Sequence, residues 1–280
     1  MRKVKIITDS VADITLEEAK SLDVDVLPLT VTFDEVEYKD GVDITTDKLF
    51  NLMKEHDGFP TTSQVAPYLF SDKMQECLDN EMDIVIITMS SKLSGTYNTA
   101  NLVKSQFEYE NIYVVDSLNV TCGQYVLLKY AIILRDQGKS AKEIYEELEV
   151  AKYRIKSSVF LDTLDNLARS GRITKTAGFV GGLLQVKPII KLIDGIIQPV
   201  SKERGIRKAI NYILSDLEKE NLKEGTKVCL GSCLESENLK YLVEKCEELG
   251  LPYEKLEVGP VTASHIGPYA MGYFLLEEYD

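Results

Sequence analysis

The chain has few of the residues that build metal sites and disulfide frameworks. Its 280 residues include two histidines and five cysteines, and the cysteines are scattered at positions 77, 122, 229, 233 and 246 with no Cys-x-x-Cys pair. This spacing argues against a zinc site, and an odd number of separated cysteines is typical of reduced, buried thiols. We therefore expect neither a bound metal ion nor another cofactor.

Long apolar segments are also missing. The longest apolar runs fall short of the roughly 20 residues that a membrane-spanning helix needs. The first ten residues, MRKVKIITDS, lack the apolar stretch of about 7–15 residues that a signal peptide carries before its cleavage site. We expect this segment to form the first β-strand, and the protein to be cytoplasmic without stable membrane insertion.

The charge is unbalanced, with 32 basic against 45 acidic residues and a net charge of −13. This excess of acidic residues argues against nucleic-acid binding, which needs clustered cations. Residues 152–208, here called the basic segment, nevertheless contain 12 Lys or Arg against four Asp or Glu, a local net charge of +8. The basic segment is either a solvated surface balanced by acidic neighbours or a docking surface for an anionic ligand or an acidic partner.

The pattern of hydrophobic residues predicts two α/β domains, because the length exceeds that of a typical single core. Strand and helix signals alternate in the first half, where residues 83–89 form a continuous apolar run and Ser140–Glu143 a capping box. This alternation predicts a doubly wound, mostly parallel sheet at 1–155. The second half contains an Asp-Gly hairpin signal at 194–195, and we predict an α+β domain at 156–280.

Several individual elements are predicted in more detail. We expect one strand over residues 24–33, a helix that Ser63 precedes and that runs through Cys77 to Leu78 with Pro67 in its first turn, and a closing helix over 267–278. A glycine-rich apolar segment covers residues 178–184.

Two loop segments combine small hydroxyl residues with predicted helix starts. In Pro60–Gln64, the hydroxyls and free backbone N–H groups would attract an anion, although Ser63 as a plain N-cap is the alternative. In Ser90–Asn98, Ser94 and Gly95 would begin a helix directly after a buried strand, where parallel sheets bind ligands. This loop matches neither a dinucleotide motif, a P-loop nor a hydrolase elbow, so a carboxylate fits it better than a polyphosphate.

A third candidate segment runs from Val258 to Pro268 and places His265 between two Gly-Pro pairs. A lone histidine is more often structural than functional, and the rigid frame and the predicted helix start beside it reduce that preference here. His56 lies in the polar stretch Lys-Glu-His-Asp-Gly and is expected at a solvated helix end.

Six ordered motifs along the whole chain resemble the DegV family. This resemblance implies an N-terminal doubly wound α/β domain and a C-terminal α+β domain with one long-chain fatty acid between them. Family members are similar to the fatty-acid-carrying B subunit of bacterial fatty acid kinase. The motifs are Ile-Thr-Asp-Ser at 7–10, Pro-Thr-Thr-Ser-Gln at 60–64, Ser-Gly-Thr-Tyr-Asn at 94–98, Leu-Asp-Thr-Leu-x-Asn-Leu-x-Arg-Ser-Gly-Arg-Ile at 161–173, Lys-Pro-Ile at 187–189 and His-Ile-Gly-Pro at 265–268.

The resemblance also implies roles for individual residues. Thr62, with Thr61 beside it, and Ser94 with Gly95 would bind the fatty-acid carboxylate, and His265 would complete the site. The protein would then be a carrier without catalysis of its own, such as a palmitate carrier that presents the carboxylate to the catalytic subunit of a fatty acid kinase.

Two further sets of residues follow from this interpretation. Four arginines of the basic segment are predicted to dock the kinase, namely Arg169, Arg172, Arg204 and Arg207. The fatty-acid tail has apolar candidates that serve equally well as ordinary core, namely Phe160, Leu161, Phe179, Val180, Leu183, Leu184, Ile189 and Ile190.

Two alternative functions are weighed against the carrier. An acyl hydrolase or acyltransferase would use Ser94 as nucleophile and His265 as base, although no elbow motif supports this and the acidic partner of the histidine is unidentified. A sugar- or amino-acid-binding regulatory protein fits the two-domain shape but not the resemblance.

Overall fold

The computed structural model describes residues 2–56, 58–173 and 185–279. Its first sheet has four parallel strands in the order β2-β1-β6-β7. Every residue of β6 is buried, as expected for a strand covered on both faces. The strands are β1 (Val4–Asp9), β2 (Val24–Leu27), β6 (Asp83–Thr88) and β7 (Ile112–Asp116).

Helices cover this sheet, as the doubly wound prediction requires. Two of them, α3 and α4, pack against each other and against β6, and so do α5 and α6. At the start of α6, Ser140 Oγ accepts a hydrogen bond from Glu143 N and the Glu143 carboxylate accepts one from Ser140 N, which is the predicted capping box. The helices are α1 (Leu16–Ser21), α3 (Pro67–Asp79), α4 (Thr96–Lys104), α5 (Cys122–Asp136) and α6 (Ala141–Ala151).

The predicted single strand over 24–33 is wrong. The chain leaves the parallel sheet after Leu27, at Pro28, because a proline cannot donate a ladder hydrogen bond. The residues that follow form a separate antiparallel sheet with the strand order β4-β3-β5, and helix α2 lies between β4 and β5 in the chain. These elements are β3 (Thr30–Phe33), β4 (Val36–Lys39), α2 (Thr46–Glu55) and β5 (Thr61–Ser63).

The predicted helix start directly after Ser63 is also wrong, because Ser63 ends strand β5. Helix α3 begins four residues later, with Pro67 at its first position and Ala66 in an extended conformation before it. A proline disfavours helical geometry in the residue that precedes it, so the helix cannot extend backwards past Pro67.

The second sheet has six strands in the order β10-β9-β8-β13-β11-β12, and only β11 and β12 pair in parallel. The Asp194–Gly195 turn joins β9 to β10 with positive φ at both residues, as predicted for a tight hairpin. The sheet begins at Ile155, and the domain division at that point remains a prediction. Its strands are β8 (Ile155–Phe160), β9 (Val186–Ile193), β10 (Ile196–Arg204), β11 (Val228–Ser232), β12 (Tyr253–Glu257) and β13 (Met271–Leu276).

The predicted closing helix over 267–278 is wrong as well. The short helix α10 (Pro260–Ile266) ends at Gly267, and strand β13 follows between β8 and β11. All six residues of β13 are buried, and a short apolar run of this kind fits a buried strand as well as a helix. The central position of β13 in the sheet decides between them.

Helix α5 lies between the two large sheets, since it contacts β1 and β6 on one side and β8, β11 and β13 on the other. The opposite face of the six-stranded sheet is covered by α8 (Ile206–Leu217) and α9 (Leu239–Glu248), while α7 (Asp165–Ser170) packs on α10. No helix within the described ranges is both long and apolar enough to cross a membrane. The apolar segment 178–184 lies outside the described residues.

Candidate functional site

An apolar cavity of about 360 Å³ lies between loops that follow the parallel strands and one face of the six-stranded sheet. Met89 follows β6 and Val120 follows β7, so the cavity opens at the carboxyl ends of the parallel strands, where such sheets bind ligands. Its size is within the range of small-molecule pockets. The apolar lining consists of Leu29, Met89, Leu93, Val120, Val159, Leu167, Ile190, Leu192, Ile197, Val258, Val261, Ile266, Ala270, Met271 and Phe274.

A connected group of polar residues forms one part of the lining. His265 hydrogen-bonds to Thr62 and is close enough to Arg172 to feel its charge, and Arg172 in turn donates to the backbone of Leu93, beside Ser94. We call the following residues the polar cluster: Thr62, Gln64, Ser94, Gly95, Arg172 and His265.

Thr62 and His265 form a pair that presents one hydrogen-bond donor. Thr62 lies on β5, His265 lies in the last turn of α10, and Thr62 Oγ1 is 3.1 Å from His265 Nε2. Burial, aided by the charge of Arg172, lowers the pKa of His265 to about 4, so its ring is neutral at pH 7. The pair then carries one O–H and one N–H hydrogen, and its own bond uses one of them. When the imidazole carries its hydrogen on Nε2 and donates it to Thr62 Oγ1, the hydroxyl hydrogen of Thr62 remains for a ligand.

Ser94 contributes a second hydroxyl at the start of α4. Its Oγ is 3.0 Å from Thr96 Oγ1 and accepts from the backbone N–H of Thr96. Gly95 is the N-cap residue of α4, and a Cβ at this position would collide with the side-chain oxygen of Gln64, whose amide donates to Thr99. Glycine therefore lets Gln64 close over the helix start.

Arg172 brings a positive charge to the cavity. It is half-buried, its Nη1 donates to Ser170 O at 2.7 Å, and its Nε donates to Leu93 O at 3.4 Å. Within the described parts of the chain it is the one lysine or arginine of the lining. Arg172 was predicted from the sequence to dock the kinase, because its position in the basic segment does not reveal that its side chain turns towards the cavity.

The other predicted site residues lie elsewhere. Thr61 is exposed and is absent from the cavity lining, whereas the next two residues of its strand, Thr62 and Ser63, line the cavity. Arg169 is exposed and stacks its guanidinium over Phe59, 4.6 Å from the ring centre. Arg204 and Arg207 are exposed, and neither has an acidic partner within 4.0 Å among the described residues.

Only part of the predicted tail set lines the cavity. Ile190 does, whereas Phe160 and Ile189 belong to the core beneath α8 and α9, because neighbouring residues of a strand face opposite sides of the sheet. Leu161 is buried outside the lining. The remaining candidates lie outside the described residues, namely Phe179, Val180, Leu183 and Leu184.

Leu192 borders two cavities at once. It lines the apolar cavity and also a second, polar cavity of about 310 Å³ that contains Lys152, Lys156 and Lys191. Each of these lysines is paired with a carboxylate, so the second cavity has no uncompensated positive charge from them. The Leu192 side chain therefore separates apolar space from polar space.

The arrangement does not favour a serine hydrolase. His265 Nε2 bonds to Thr62 and not to Ser94, whose hydroxyl bonds to Thr96 instead. His265 Nδ1 has no hydrogen-bond partner in the described structure, so the acidic residue that orients a catalytic histidine is absent there. Likewise, no cluster of three or more potential metal ligands occurs within the described ranges.

Comparisons with known proteins find similar proteins over nearly the whole length of this chain. The family profile described as "Uncharacterised protein, DegV family" matches residues 3–278. A DegV domain-containing protein of Clostridium acetobutylicum is 39% identical over 279 residues, covering 100% of both chains. A DegV family protein from Thermus thermophilus, described by its fatty acid binding, has a TM-score of 0.91 at 30% identity, covering 99% of this chain and 100% of its own. A stearic acid-binding protein from Eubacterium ventriosum has a TM-score of 0.87 at 29% identity, covering 99% and 98%.

Proposed function

Because the chain belongs to the DegV family, we propose that it binds one long-chain fatty acid, such as palmitate, in the apolar cavity. The observation that carries this proposal is the composition of the lining, in which fifteen apolar residues accompany the polar cluster. A fatty acid has the same division into a long apolar tail and a small polar head. The solved structures of fatty-acid-binding relatives support the same ligand.

The tail supplies most of the binding free energy. At roughly 0.8 kcal/mol per buried CH2 group, the fourteen methylenes of palmitate contribute about 11 kcal/mol before the cost of ordering the chain. The carboxylate contributes less to affinity and more to orientation. It would receive hydrogen bonds from the Thr62–His265 pair and from Ser94, and Arg172 would compensate its charge.

Native mass spectrometry of freshly purified protein tests this function. We expect a co-purifying mass of a C14–C20 fatty acid that is released on denaturation, because a ligand held by this much apolar surface dissociates slowly. Several preparations that are all empty, and that also fail to take up added palmitate, would refute the proposal. A covalent acyl adduct on Ser94 would instead support an acyl-transfer enzyme.

The proposed role is that of a carrier, which presents the carboxylate to the catalytic subunit of a fatty acid kinase. The exposed Arg204 and Arg207 have no acidic partner among the described residues and offer charge to an acidic partner surface. Arg172 differs from them because it lines the cavity.

The kinase role is testable because the exposed arginines and the cavity arginine can be replaced separately. In a mixture with a bacterial fatty acid kinase catalytic subunit and ATP, Arg204→Glu should abolish acyl-phosphate formation while palmitate affinity stays unchanged. Arg172→Gln should lower palmitate affinity as well, because it removes the charge beside the carboxylate. If Arg204→Glu and Arg207→Glu both leave acyl-phosphate formation intact, the basic segment is only a solvated surface.

A further inference from the structure

Behind the wall of the cavity lie three aspartates that the proposed ligand does not touch, Asp9, Asp13 and Asp40. Asp9 and Asp40 are 1% and 3% exposed, and Asp13 is half-buried. None of the three carboxylates has a lysine, arginine or histidine within 4.0 Å in the described structure. Buried carboxylates without a cation lower the stability of a fold, so their presence calls for a compensating role.

Asp13 and Asp40 bind the first backbone N–H groups of α10. Asp40 Oδ1 accepts from Val261 N at 3.2 Å, while its Oδ2 accepts from Ser10 Oγ at 2.7 Å. Asp13 accepts from the backbone N–H of Gly259. Gly259 is the N-cap of α10 and carries no side chain that could satisfy these donors itself, so the two carboxylates from the first half of the chain cap this helix from outside.

The capped helix carries His265. Only four residues, about 6 Å of helix, separate Val261 from His265, so a shift at the start of α10 is transmitted to the imidazole. Thr46 Oγ1 adds a bond to Val258 O at 2.7 Å, immediately before the helix. All of these contacts join the first half of the chain to the segment that holds His265.

Asp13 also holds a strained residue of the cavity wall. Thr121 lines the cavity and has φ 46° and ψ −127°, a conformation that a β-branched residue rarely adopts. Its Oγ1 donates to Asp13 Oδ2 at 2.5 Å. Strain of this kind persists where surrounding contacts over-determine the backbone, and it is typical of functional sites.

We propose that Asp13 and Asp40 are positioning residues of the polar cluster: they fasten Thr121 and the start of α10, and thereby hold His265 against Thr62. The part of this inference that concerns affinity rests on the proposed fatty-acid function. The part that concerns His265 does not, and it can be measured without any ligand.

The two histidines of the chain make His265 directly observable by NMR, with the exposed His56 as an internal reference. Asp40→Ala removes the acceptor of Val261 N–H, and we expect it to shift the ring signals of His265 and to raise its pKa by at least about half a unit as water enters. Palmitate affinity should fall about tenfold, and affinity for hexadecanol, which has no charged head, less than about threefold.

Asp83→Ala is the matched control. Asp83 is also buried, but it begins β6 at the far end of the sheet from the cavity and bonds to Tyr109 and Asn111. It should lower thermal stability without moving His265. Asp40→Asn keeps an oxygen that can accept from Val261 N–H, so it should restore the His265 signals and most of the affinity.

A measurement on the unmodified protein covers the case in which Asp40→Ala fails to fold. Burial raises the pKa of Asp9 and of Asp40 to about 6, and it raises that of Asp13 well above its usual range. The other titratable groups near this trio are the buried thiols of Cys229 and Cys233. The ring signals of His265 should therefore show an inflection near pH 6 in addition to its own near pH 4, and Asp40→Asn should weaken the inflection near pH 6.

The outcomes separate the two proposals. If the unmodified protein binds no fatty acid, the proposed function fails, while the His265 signals still test the positioning role. If the protein binds palmitate but His265 behaves identically in the unmodified protein, Asp40→Ala and Asp83→Ala, the positioning role is refuted. A single inflection near pH 4 in the unmodified protein would refute it as well.

Discussion

Replacing Thr62 by valine tests the polar cluster with the smallest change of shape. The substitution removes one hydroxyl and keeps the β-branched volume, so the cavity and strand β5 should remain intact. The Thr62–His265 pair then loses the hydrogen that it can offer to a carboxylate or the bond that fixes the imidazole. A hydrogen bond to a charged group is worth about 1.5–3 kcal/mol, so palmitate affinity should fall by about 10- to 100-fold.

Thr61→Val is the matched control, because Thr61 is the exposed neighbour on the same strand and undergoes the same chemical change. Isothermal titration of both variants with palmitate and hexadecanol should show an affinity within about twofold of the parent for Thr61→Val. For Thr62→Val, hexadecanol binding should change far less than palmitate binding. The reasoning is refuted if Thr62→Val binds palmitate as the parent does, and equal losses for both ligands would mean that cavity shape, and not the head group, was changed.

Three further outcomes are expected. Leu192→Ala should join the apolar and polar cavities and raise the affinity for a C20 acid relative to palmitate by about tenfold. An unchanged ratio of the two affinities in a binding competition would contradict this. Gly272→Ala should lower the free energy of unfolding in urea by about 1–3 kcal/mol, since a Cβ there would lie 2.7 Å from Val159 Cα. A neutral effect would show that β8 and β13 can separate. Because the pKa values of Asp9 and Asp40 are about 6 in the folded protein and about 3.9 unfolded, their contribution to stability is full below pH 4 and is lost as the pH rises through 6. The free energy of unfolding should therefore fall by about 2 kcal/mol more between pH 4.5 and 7.5 in the unmodified protein than in Asp40→Asn, and parallel curves would contradict the raised pKa of Asp40.

The strongly periodic parts of the fold were predictable from the sequence. The Ser140 capping box and the Asp194–Gly195 hairpin each depend on a local pattern with one structural solution. The run at 83–89 is rich in β-branched residues, which favour a strand. The closing segment was not predictable, because Met-Gly-Tyr-Phe-Leu-Leu fits a buried strand or a helix until its neighbours β8 and β11 are known. Pairing with these two strands makes the segment a β-strand.

The candidate site shows the same limit. Loop motifs indicated Thr62, Ser94 and His265, and the structure places all three in one cavity lining. The direction of the Arg172 side chain depends on how α7 packs on α10, which no local pattern encodes. The cap that Asp40 supplies to Val261 joins residues 221 positions apart, so only the folded chain reveals it.

The position of α5 has a consequence for how the chain acquires its structure. This helix covers one face of the six-stranded sheet, yet it precedes that sheet in the chain. A fragment of residues 156–280 would therefore expose the apolar side chains that α5 covers, Val159 and Phe274 among them, and would aggregate rather than fold alone. Conversely, α5 has no complete partner surface until the last strand, β13, has been synthesised and inserted between β8 and β11. Most contacts of this kind join distant residues, so we expect folding to be slow and to conclude only after β13 has left the ribosome.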